Sequence, residues 1–114
     1  MGLDMWLNRD NSEIGYWRKA NAIHKWFVDN TQNGKDECET SDVSLEQITE
    51  LLNICEMVLI DPDKNSFMLE PSPGFFFGSY AIDENYVYNI EKTIEILKDC
   101  LKHPESKFTY EASW

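Results

Sequence analysis

The two ends of the chain share a period of two. Leu3, Met5 and Leu7 alternate with Asp4 and Trp6 at the start, and Phe108, Tyr110, Ala112 and Trp114 alternate with polar residues at the finish. Such half-apolar segments read as strands, and a lone strand is not stable in water. The two ends therefore have to be paired into a sheet, whatever lies between them.

What lies between them is mostly helical in period. From Glu13 to about Asn30, steps of 100° place Tyr16, Trp17, Ala20, Ile23, His24, Phe27 and Val28 on one broad face, with Arg18, Ala22 and Lys25 opposite. Trp26 falls outside that stripe, so it is either exposed or covered by another segment. Asn33-Gly34 closes this helix. Ser44-Leu45-Glu46-Gln47 has the pattern of a capping box and opens a second helix. Its stripe is Leu45, Ile48, Leu51, Leu52, Cys55 and Leu59, and Asp61-Pro62-Asp63 stops it near Ile60.

Asn65 to Glu70 reads as a short strand or extended loop, and Pro71-Ser72-Pro73-Gly74 as rigid punctuation. Phe75, Phe76 and Phe77 follow, and three successive rings cannot all point inward from a half-buried strand. Asp83 suits the N-cap of a third helix with the stripe Tyr86, Ile90, Ile94, Leu97 and Leu101, ended by Pro104. The order predicts one α+β domain over residues 1–114. A small, mostly antiparallel sheet, including the N- and C-terminal strands, packs against three helices.

With 42% hydrophobic and 13% aromatic residues, the 114-residue chain is too apolar to be disordered. No apolar run reaches the roughly 18 residues of a membrane span, and no basic-then-apolar leader opens it. The expectation is a soluble, intracellular protein. The net charge of −11 argues against direct binding of a duplex through its phosphates. Residues 1–30 are neutral overall, so the entire negative charge lies in residues 31–114. It is densest at Asp36, Glu37, Glu39, Asp42, Glu46 and Glu50. That run is either a solvated, solubilising face or a patch aimed at a basic partner.

Cys38, Cys55 and Cys100 are odd in number and widely spaced, which fits reduced thiols. Zinc would want paired ligands at short spacing, and the only histidines are His24 and His103. No metal or cofactor is therefore expected. The phosphate-binding glycine loops and the serine nucleophile elbow are missing from the sequence.

Two constellations remain. On a continuous first helix, Trp17, Asn21 and His24 stand at i, i+4 and i+7, next to Arg18. They could line a pocket for a planar, nucleotide-like ligand, or they could be a hydrogen-bonded core edge. Arg18 either pairs with Asp4 or Asp83 or presents its fork to an anion. His24 as a general base would need an acidic partner that the sequence does not identify. The second constellation is an aromatic surplus: Trp6, Trp26, Tyr80, Tyr88 and at least one of Phe75 to Phe77 exceed what a small core hides. Surface rings among acids fit a protein-binding face, in which charge steers and rings anchor.

The segments MGLDMWL, EIGYWRKANAIHKWFVDNTQNGKDEC, PSPGFFFGS and YEASW resemble a family of small phage and prophage proteins, and the resemblance spans most of the chain. Members of that family often carry the label phosphoglycerate kinase. A 114-residue chain without phosphate-binding loops cannot house that two-domain enzyme. The resemblance implies a phage origin and designates no catalytic residue.

The expectation is a non-enzymatic inhibitor that occludes a basic surface on a host protein, such as a defence effector of the CRISPR kind. Glu37, Glu39, Asp42, Asp83 and Glu84 would meet the basic surface, and Trp26, Phe75 and Phe76 would anchor. The alternative is a small-ligand binder that uses Trp17, Arg18, Asn21 and His24.

Overall fold

The computed structural model describes residues 3–34, 40–70 and 84–113. Its first turn is two residues long. Asp10 and Asn11 take φ of 49° and 73°, the mirror-image turn whose twist matches that of paired strands. It joins β1 (Asp4–Arg9) to β2 (Ser12–Arg18) as an antiparallel hairpin, in register from Asp4↔Arg18 to Arg9↔Ser12. The register shifts at Leu7/Asn8, leaving Ile14 as the extra residue of a bulge.

The expected first helix is thus corrected in its front half. Ser12 to Arg18 is strand, and only α1 (Asn21–Thr31) is helical. Ile14, Tyr16 and Trp17 favour a pleated surface, and pairing with β1 outweighs their fit to a helical period. Lys19, at φ 56°, turns the chain from strand to helix, and its N–H donates to the Leu3 carbonyl at 2.7 Å. At the far end Gly34, at φ 77°, donates its N–H to the Val28 carbonyl at 2.9 Å, so Asn33-Gly34 does close the helix.

The chain ends pair as their period requires. β1 lies antiparallel to β4 (Phe108–Ser113), with Met5 opposite Ala112 and Leu7 opposite Tyr110. A short β3 (Ser41–Val43) adds to the other edge of β4, giving the order β2-β1-β4-β3 with all pairings antiparallel. β3 lies within the sequence span of the acidic run from Asp36 to Glu50. The remaining elements are α2 (Leu45–Ile60), α3 (Pro62–Asn65), a 3-10 turn at Ser66–Met68, and α4 (Glu84–Leu101). Asn65 to Glu70 is therefore not a strand, and the Phe75–Phe77 segment lies outside the described residues.

One face of the sheet carries the core. Met5, Leu7, Gly15, Trp17, Val43, Phe108, Tyr110 and Ala112 are buried, while Asp4, Trp6, Asn8, Tyr16, Thr109 and Glu111 on the other face are only partly so. α1 lies on the buried face, where Phe27 stacks on Tyr110 with centroids 4.0 Å apart. α4 covers β2. A Cβ on Gly15 would stand 2.8 Å from Ile96 Cγ2, so the absence of a side chain there sets how closely α4 approaches the strand.

α2 packs against α4. Its buried stripe is Ile48, Leu51, Leu52, Cys55 and Val58, so Val58 replaces the expected Leu59, which is exposed. In α4 Cys100 is buried and the expected Leu101 is exposed. No helix among the described residues is long and apolar enough to cross a membrane.

Candidate functional site

The residues of the expected ligand strip do not share a helix. Trp17 is on β2, fully buried, and its indole N–H donates to Thr93 Oγ1 on α4 at 2.8 Å. Asn21 and His24 are on α1 and buried, His24 to 2% exposure. His24 Nδ1 lies 2.6 Å from the Tyr110 hydroxyl. Arg18 alone is exposed, at the end of β2. Trp17 and His24 thus bridge sheet and helices, and the four residues do not form the one-helix strip on which the small-ligand reading rested.

Of the two readings of Trp26, the covered one holds, and its role as a surface anchor is corrected. It is 7% exposed, meets Phe27 edge-on at 5.3 Å between centroids, and belongs to the core. Glu37, Glu39, Phe75, Phe76 and Asp83 lie outside the described residues. Asp42 is exposed on β3, with a carboxylate oxygen 3.7 Å from Lys107 Nζ. It lines an open depression of about 530 Å³ with Val43, Ser44, Leu45, Ser106 and Lys107. Glu84 is exposed as the first residue of α4.

The solvent faces of α2 and α4 carry the charge. α2 begins with the capping box expected from Ser44 and Gln47: Ser44 Oγ accepts the Gln47 N–H at 3.1 Å, and Gln47 Oε1 accepts the Ser44 N–H at 2.9 Å. Gln47 Nε2 also donates to the Asn30 carbonyl at 2.8 Å, tying this end to α1. With the apolar stripe turned inward, Glu46, Glu50 and Glu56 face solvent, and no Lys or Arg occurs between Leu45 and Ile60.

On α4 the buried set Tyr86, Ile90, Thr93, Ile94, Ile96, Leu97 and Cys100 turns Glu84, Tyr88, Glu91 and Glu95 outward. Their spacing of i, i+4, i+7 and i+11 makes one row along roughly 16 Å of helix. Tyr88, inside that row, is 61% exposed. Lys92 of the same helix is directed elsewhere, with its ammonium 5.6 Å from the centre of the Tyr16 ring, and Lys98, exposed in the last turn, ends the acidic part of the row. Asp99 is engaged by Arg9 at 3.9 Å. None of Glu46, Glu50, Glu56, Glu84, Glu91 and Glu95 forms an ion pair with another described residue. Their field is therefore open to an incoming cation.

Burial and hydrogen bonding shift the titratable groups elsewhere. Burial pushes the Cys55 thiol up to about 12, with the Glu56 charge adding to the effect. Burial does the same to Cys100, again to about 12, and to the Tyr86 phenol, also to about 12. Tyr86 donates its hydroxyl to the Leu69 carbonyl at 2.6 Å, a bond available only to the protonated phenol. The hydrogen bond from Tyr16 to Asp4, 2.6 Å long, raises the Tyr16 phenol. Asp10 is lowered, first by the Lys107 backbone N–H that it accepts and then by Ser106.

Sequence reasoning singled out Glu84 on α4 and counted Tyr88 among the surplus aromatics, but it missed the exposure of Met57, Ile60 and Phe67. The signal was available for two of them. Met57 and Ile60 lie off the stripe through Ile48, Leu51, Leu52 and Cys55, on the same side as Glu46 and Asn53. No protein family, curated protein or solved structure matches the chain.

Proposed function

We propose that this chain is a non-enzymatic binding protein that occludes a basic surface on another protein, using the outward row of α4 and the acidic side of α2. The observation that carries this reading is the row Glu84, Tyr88, Glu91 and Glu95: three acids with no ion-pair partner among the described residues, and one largely exposed ring. Acidic charge gathered along the first three turns of a rigid helix steers a basic partner and rejects an acidic one. The ring in its midst provides the amphipathic contact surface typical of an interface anchor. Asp42 on β3 and Glu46 and Glu50 on α2, all exposed, add to the same sign of charge.

The resemblance to small phage proteins gives the partner a natural class, a host protein whose basic surface handles nucleic acid, such as a defence effector. The chain presents carboxylates where that surface would otherwise meet phosphates. The test is capture of tagged protein from bacterial lysate, washed at low and then high salt. One stoichiometric protein that elutes with salt is the expected result. A folded bait that captures nothing in any salt overturns the reading for that host.

A further inference from the structure

Four of the six most exposed large hydrophobic side chains among the described residues fall within eleven positions: Met57, Leu59, Ile60 and Phe67. Ile60 and Phe67 are 77% and 70% exposed. Met57 and Ile60 are neighbours at i, i+3 on the last turn of α2. The segment after them folds back onto that turn. Asp61 Oδ1 accepts the Lys64 N–H at 3.2 Å, and the Asn65 N–H reaches the Asp61 carbonyl at 2.8 Å. Asn65 Nδ2 donates to the Met57 carbonyl at 2.8 Å, which brings the 3-10 turn carrying Phe67 back beside the end of α2. Exposed rings and branched chains gathered in this way mark an interaction site.

The charges around the patch select its occupant. Glu56, Asp61, Asp63 and Glu70 stand against Lys64 alone. A second copy of the chain docking by a two-fold axis would bring each patch onto itself and set these acids against their own counterparts. An anionic lipid surface would be repelled for the same reason.

We infer that the Met57–Ile60–Phe67 patch receives a cationic amphipathic helix of a protein partner. Its apolar side would lie on the three side chains and its Lys and Arg side toward Glu56, Asp61 and Asp63, the helix-in-groove mode with charged flanks. The inference rests on the reading of the chain as a binder of basic protein surfaces, and adds which part of such a partner is gripped.

The test measures fluorescence anisotropy with two labelled peptides of about 18 residues, five helical turns. One carries Leu on one face and Lys on the other; the second keeps every Lys and replaces Leu with Ser. The native chain should bind the Leu/Lys peptide at least tenfold more tightly than the Ser/Lys peptide. Ile60→Ser/Phe67→Ser should remove that preference, and both sites are exposed enough for the fold to survive, as far-ultraviolet circular dichroism would verify. Glu84→Gln/Glu91→Gln/Glu95→Gln should weaken both peptides and leave the preference intact.

Equal binding of the two peptides by the native chain overturns the inference, and so does a preference that survives in the Ile60→Ser/Phe67→Ser variant. Either failure leaves the broader reading standing if the lysate partner is still captured and released by salt. A concentration-dependent dimer in sedimentation that disappears in Ile60→Ser/Phe67→Ser assigns the patch to a second copy and also overturns the inference.

Discussion

His24 Nδ1 and the Tyr110 hydroxyl lie 2.6 Å apart, joining the middle of α1 to β4 inside the core. Phe27, three residues further along α1, stacks on the same tyrosine ring. The pair acts as a polar pin through an apolar contact, and that role makes its removal measurable. Tyr110→Phe keeps the stack and deletes the hydroxyl, leaving a buried imidazole nitrogen without it. The expected loss is about 0.5–1.5 kcal/mol, the net worth of one buried hydrogen bond. Urea unfolding monitored by tryptophan fluorescence checks it, and an unchanged midpoint would show that the pin is dispensable.

Gly15→Ala tests the approach of α4 to the sheet. The added methyl would lie 2.8 Å from Ile96 Cγ2, so helix or strand has to move. Overpacking of this kind costs roughly 1–3 kcal/mol. Gly15→Ala/Ile96→Ala, which removes Cγ2 from opposite the new methyl, should be less destabilised than the sum of its two single variants. A single variant as stable as the native chain would mean that the contact is slack.

Alkaline pH should unfold the protein early. In the folded chain Cys55 and Cys100 stay protonated up to about 12, against 9.0 for an ordinary thiol, and Tyr86 up to about 12 against 10.0. The unfolded chain therefore releases these protons first, and ionisation favours it. Stability should be intact below pH 9, fall as pH rises from 9 toward 12, and fall less steeply in Cys55→Ala. Thermal melts across that range give the slope. The same burial predicts that neither thiol reacts with an alkylating agent near neutral pH until the chain unfolds; rapid labelling of Cys55 in the native state would contradict it.

The hairpin turn gives a fourth expectation. Asn11 sits at φ 73°, a conformation that glycine takes freely and a β-branched residue resists. Asn11→Gly should hold or slightly raise stability, while Asn11→Val should lower it by roughly 1–2 kcal/mol. Parallel denaturation curves decide the matter, and equal midpoints would exclude strain at this turn.

That turn also shows why the sequence was legible in parts. The paired ends and the stripe of α4 up to Leu97 were readable because each repeats one period without a competitor, and the capping box because Ser44 and Gln47 stand at its fixed spacing. Residues 13–20 fit two periods at once: Tyr16, Trp17 and Ala20 suit a helical face, while Ile14, Tyr16 and Trp17 also suit a strand. Two turn-forming residues, Asp10 and Asn11, were the only local sign of a hairpin, and the pairing that settles it involves Met5 and Leu7. The assumed row Trp17–Asn21–His24 failed with that helix. Trp26 was placed off the stripe by its angle, but its burial depends on neighbours that a single helix cannot reveal. Asp42 and Glu84 were legible as exposed acids because nothing apolar competes for their positions.

The central claim is that the acidic outward row of α4 makes the contact with a basic partner. The most direct measurement is the lysate capture repeated with Glu84→Lys/Glu91→Lys/Glu95→Lys beside the native chain, both first shown to be folded. The native chain should retain one stoichiometric partner that salt releases, and the reversed row should lose it, since steering and rim pairing both change sign. The same partner held equally by both baits, with the same salt dependence, would contradict the account.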